Sequence, residues 1–203
     1  MTYGQEPCRT TGFLPDYLAT TRLGSMGGTN DSDTTGLEIL RDSVRFVMLR
    51  DLRSLDAQIA AYPDDDSLWN VVPGILNSAG NLSLHLTGNL RHFVGSVLGG
   101  TGYVRDRAAE FGSKALSRDH LRNEVRLAIE DVSGSLCMID PRRLSDSYPV
   151  PIMDRRVRTA DFLVHLSAHL AYHLGQIDYH RRILTAEPTP VENLSVVNLP
   201  LAN

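Results

Sequence analysis

Cysteine is scarce in this chain, occurring only as Cys8 and Cys137. Two thiols exclude a framework of several disulfides and a thiolate metal cluster, and the low count fits a reducing compartment. No run of about 18 apolar residues occurs, which argues against a membrane-spanning helix. The N-terminal stretch also lacks the apolar core of a secretory signal. An excess of positive charge is missing too. The net charge of −4 and pI near 5.9 give no electrostatic basis for binding nucleic acid or an anionic membrane. Strand-like alternation is rare. The expectation is a soluble, cytoplasmic protein of one domain, whose 42% hydrophobic content supplies a sizeable core.

What the chain does have is helical periodicity. Leu37, Leu40, Val44, Met48, Leu52, Leu55 and Ile59 recur at spacings of three and four, predicting a helix to about Ala61. Tyr62-Pro63 and the solvated run Asp64, Asp65, Asp66 end it. A second helix is expected over Leu76–Leu98, with Leu82, Leu86, Leu90, Phe93 and Val97 as its apolar stripe. Ser117 caps a third, whose buried face is Leu121, Val125, Ala128, Val132, Leu136 and Ile139. The last runs from Thr159, read as its cap, to Leu184, with Leu163, Leu166, Leu170, Leu174, Ile177 and Leu184 facing the core. The pattern implies an all-α protein, a four-helix bundle over residues 37–185. A polar N-terminal extension (1–36) with a Gly-rich linker at 24–36 precedes it, and a Pro-interrupted tail (186–203) follows.

Histidine is concentrated in the last helix, where four of the chain's seven lie: His165, His169, His173 and His180. Their spacings of four, four and seven place them, with Gln176, on one stripe roughly 80° wide beside the leucines. The second helix repeats this layout, with Ser78, Asn81, His85, Asn89 and His92 beside its apolar stripe. Packing the two apolar stripes together would bring His85 to face His169 and His173. Imidazoles that meet this way can share an ion at about 2.0–2.1 Å from each nitrogen. The charged segment YVRDRAAEF (103–111) reads either as a salt-bridged surface helix or as a lid whose Arg105 or Arg107 grips an anionic group. Val164, Ala168, Ala171 and Gly175 form a small-residue stripe on the last helix, suited to a homodimer contact or to packing within the chain. Ferritin-like di-iron chemistry would need Glu-x-x-His motifs, and none occurs.

The segments NSAGNLSLHLTGNLRHFVG (77–95) and HLSAHLAYHLGQIDYHRRI (165–183) resemble those of the DinB/YfiT-like superfamily of metalloenzymes, and YVRDRAAEF is similar to an uncharacterised branch of it. In that family a histidine of the second helix joins a pair, four residues apart, in the last long helix. His165 extends the pair to a triple here. The Leu174-Gly175-Gln176 step aligns His169 and His173 with the family pair, and Leu84-His85-Leu86 with the first element.

The resemblance implies that His85, His169 and His173 bind a divalent metal, with zinc the first choice and nickel, iron or manganese as alternatives. Three neutral ligands leave an open position, which marks a catalytic site. Such an ion lowers the pKa of bound water to about 7 or holds a thiol as thiolate. Asn89 and Gln176 are expected to orient the imidazoles, and His92, His165 and His180 are candidates for moving protons. The activity implied is transfer of a low-molecular-weight thiol to an electrophile, with a carboxylate of the thiol held by Arg105 or Arg107. The alternatives are metal-dependent hydrolysis and a non-catalytic stress-response bundle stabilised by its metal. The partner is then a small-molecule substrate.

Overall fold

The apolar periods form helices α1 (Asp31–Ala60), α2 (Ala79–Leu90), α3 (Arg107–Gly112), α4 (Arg118–Met138) and α5 (Thr159–Thr185) in a computed structural model that describes residues 31–191. The chain is all-α, with isolated bridges in place of strands among the described residues. No helix in that span is long and apolar enough to cross a membrane. The calls on residues 1–30 and 192–203 lie outside the described residues.

One core joins the four long helices. α1 packs against α4 and α5, and α2 against the same two. The predicted apolar positions of α1 from Val44 onward, Leu82, Leu86 and Leu90 of α2, the whole α4 series, and Leu163 through Ile177 of α5 are all buried. Leu37, Leu40, Phe93, Val97 and Leu184 pack at its edge. Each leucine withdrawn from water contributes about 1.5–3 kcal/mol, so this shared seam fixes how α2 and α5 face each other.

Several boundaries differ from the periodicity reading. α1 begins at Asp31, inside the stretch read as linker. α2 begins three residues late, because Ser78 caps it by accepting from the Asn81 amide at 3.1 Å. Beyond Leu90 the helix widens into a π-helical stretch, Arg91–Leu98, closed where the Gly99 amide donates to Val94 O at 3.1 Å. Thr159 is not the cap of α5. Arg158 holds that position, and the Thr159 hydroxyl donates instead to Asp146 O at 3.1 Å. The tail also starts docked, since Arg181, fully buried, donates to Glu187 O and Thr189 O as well as to Gln58 and Asp178.

His180 belongs to this structural network rather than to any site. Its Nε2–H donates to Asn70 O at 2.9 Å, and its Nδ1 accepts from the Tyr62 hydroxyl at 2.7 Å. Burial pushes its pKa below the ordinary histidine value, only partly opposed by the Asn70 bond. Below about pH 6.5 the unfolded chain binds a proton that the folded chain refuses, so folded stability falls with pH until the depressed value is reached. Urea midpoints of the metal-free protein are therefore expected to drop between pH 7 and 5. His180→Gln is expected to make that drop shallower; an unchanged slope would remove His180 as a contributor.

Candidate metal centre

The packed seam between α2 and α5 brings three imidazoles to one place. His85 Nε2 lies 3.3 Å from His169 Nε2. Ring centroids of His85, His169 and His173 are 4.6 to 5.5 Å apart, and one nitrogen from each lies within 4.8 Å of the other two. Two nitrogens bound at about 2.0–2.1 Å to one tetrahedral ion are about 3.3–3.4 Å apart, so the His85–His169 separation already suits such an ion. His85 is buried while His169 and His173 are half-buried, which leaves the centre reachable from solvent on the α5 side.

The outer nitrogens determine which lone pairs face inward. Glu110 Oε2 lies 3.0 Å from His85 Nδ1, and Gln176 Oε1 lies 2.6 Å from His173 Nδ1. Both oxygens only accept, so each Nδ1 carries the proton and each Nε2 is left with a free lone pair. Gln176 thus has the orienting place expected of it. An Arg105 nitrogen also approaches His85 Nδ1, at 3.2 Å, but two donors cannot share a bond, and the Nδ1–H donates to the Glu110 carboxylate instead.

Glu110 is the residue that sequence reasoning missed. It sits on α3, is 4% exposed, and receives Arg105 through two bonds, Nε to Oε1 at 2.6 Å and Nη2 to Oε2 at 2.8 Å. Its burial would by itself raise the carboxyl pKa, but the bonds from Arg105 and His85 outweigh it and hold the group below the ordinary range. Arg105 is therefore bound to Glu110 and is not the free substrate grip expected of it. Arg107 keeps that capacity. It is exposed, lies 5.3 Å above the Phe111 ring, and makes no hydrogen bond or ion pair among the described residues. Phe111 in turn packs 5.1 Å from the His85 ring.

The remaining expected residues fall outside the triad. Asn89 orients no imidazole; it is buried with its Oδ1 unpartnered. His92 packs on Phe93 and its Nδ1 is likewise buried without a partner. His165 is exposed, stacked on Phe162, with its ring 6.2 Å from that of His169. Val164, Ala168, Ala171 and Gly175 are exposed, so they do not pack within the chain.

Burial, followed by the neighbouring His173, His85 and His165, pushes the His169 pKa down to about 4. Burial also lowers that of His173, against the opposing bond to Gln176. Imidazoles kept neutral are what a divalent cation requires, so the His169–His173 pair with His85 beside it fits a metal ion. No family model, curated protein or solved structure matches the chain.

Long-range ¹H–¹⁵N correlation of the metal-free protein at neutral pH is expected to show His85 and His173 as Nδ1–H tautomers. An Nε2–H tautomer at His85 would contradict the inward-facing lone pair.

Proposed function

We propose that this protein is a divalent-metal-dependent enzyme on a DinB/YfiT-like four-helix bundle, transferring a low-molecular-weight thiol to a small electrophilic substrate. The observation that carries the reading is the convergence of His85, His169 and His173 on one point that is half open to solvent on the α5 side. A divalent ion there, zinc first, supplies undiminished positive charge that lowers the pKa of a thiol or water. His85 and His173, each fixed through Nδ1, would hold it together with His169. Half-exposure of the α5 pair favours a catalytic over a closed structural centre, because a nucleophile needs access.

The chain's own residues set what can approach. Arg107, free and stacked on Phe111 beside His85, is placed to bind a carboxylate of the thiol or of its acceptor. In the transfer the thiol gives up its proton to solvent, sulfur bonds to the electrophilic carbon, and the leaving group departs with its electron pair. His165, exposed near His169, is the one other histidine positioned to relay that proton.

Purified protein is expected to bind about one equivalent of Zn²⁺. Replacement of 85, 169 or 173 by Ala should each abolish stoichiometric binding, and His165→Ala should not. With glutathione, bacillithiol and mycothiol paired with model electrophiles, turnover should require the metal. Arg107→Ala should raise KM more than it lowers kcat. Metal-dependent ester or amide hydrolysis without thiol transfer would replace this reading by the hydrolytic one. Metal uptake with no turnover of either kind would leave a metal-stabilised bundle.

The homodimer is part of the same proposal. The stripe of Val164, Ala168, Ala171 and Gly175 is uncovered, and Gly175 has no atom within 4 Å of where a Cβ would sit. Sedimentation should give a dimer that Ala171→Arg dissociates; a clean monomer would dismiss it.

A further inference from the structure

We propose that Glu110 is a positioning residue for the metal centre, and that metal uptake and docking of the α3 segment are one coupled equilibrium. The inference rests on reading His85, His169 and His173 as metal ligands. Its basis is a buried carboxylate on a short helix whose neighbours Arg107, Ala108, Ala109 and Gly112 are exposed. An ionised carboxylate out of water costs several kcal/mol unless it is fully bonded. Here both oxygens are used, Oε1 by Arg105 and Oε2 by Arg105 and His85.

The helix it docks on is shaped to receive it. A Cβ at Gly88 would collide with Glu110 Oε1, so the residue one turn after His85 leaves room for the carboxylate. One turn before His85, Asn81 Nδ2 donates to Glu110 O at 3.0 Å and to Ser113 O at 2.9 Å, latching the α3 backbone. Asp106 caps α3 through the Ala109 amide at 2.9 Å. α2 therefore fixes the segment on both sides of the ligand histidine, and Arg105 closes the third.

Coupling follows from the imidazole between them. A carboxylate on Nδ1–H sets the ring's orientation and raises the basicity of Nε2, which strengthens binding of a cation there. A cation on Nε2 in turn makes Nδ1–H a stronger donor to Glu110. By linkage, whatever docking contributes to metal affinity, metal contributes equally to docking.

The test uses the full chain with Zn²⁺, and with Co²⁺ as a spectroscopic probe. Glu110→Gln and Gly88→Ala are each expected to weaken Zn²⁺ binding about 10–100-fold and to shift the Co²⁺ visible spectrum. Glu110→Asp, which keeps the charge, should recover part of that loss. Zn²⁺ should slow hydrogen exchange across residues 103–113 in the wild type and much less in Glu110→Gln. If Glu110→Gln fails to fold, the Gly88→Ala affinity and the wild-type exchange data decide. A wild-type chain that takes up no Zn²⁺ overturns the metal reading and this inference together. Uptake by the wild type with unchanged affinity in Glu110→Gln, even if its melting temperature drops, overturns this inference alone. Exchange over 103–113 indifferent to Zn²⁺ overturns the coupling.

Discussion

The leucine seam between α2 and α5 is the constraint on which the rest depends. Leu82, Leu86 and Leu90 on one side and Leu163, Leu166 and Leu170 on the other are buried in one core. Gathering three imidazoles is not favourable by itself, because buried and half-buried rings give up hydration. They are held together because the apolar stripes beside them gain more from contact than the polar edges lose. Seen this way, the imidazole cluster is a by-product of core packing.

The outer side of the centre is organised by a different force. Two acceptors of unequal character hold the rings, a charged carboxylate on His85 and a neutral amide oxygen on His173. His169 lacks such a partner among the described residues and is instead crowded by the imidazoles of His173, His85 and His165. The three imidazoles are therefore held in unlike surroundings, with His85 alone set against a carboxylate.

How much of this was legible in the sequence depends on the range of the interaction. Periodicity exposed the helices and placed His85 opposite His169 and His173, because a stripe beside an apolar face must follow that face. Gln176 was legible for the same reason, being three residues from His173. Glu110 was not, since its burial comes from docking of a six-residue helix whose own pattern is polar. Arg105 was left open between a salt-bridged and a substrate-gripping reading, because a guanidinium looks free in sequence until its acceptor is found in space. Asn89 and His92 share the stripe of His85, yet neither forms a bond to the triad, and at His92 the helix has already widened. His180 shares the α5 stripe but meets Tyr62 and Asn70, partners supplied by a turn that no spacing rule reaches.

The buried guanidinium of Arg181 bears on how the chain can be shortened or extended. Two of its acceptors are carbonyls past the end of α5, at Glu187 and Thr189. α5 stops at a left-handed Ala186, which turns the following residues back toward that guanidinium. A chain cut at Thr185 would thus keep every helix and still take two of four acceptors from a buried cation, leaving it Gln58 and Asp178, whereas a tag joined after Thr189 would leave all four in place.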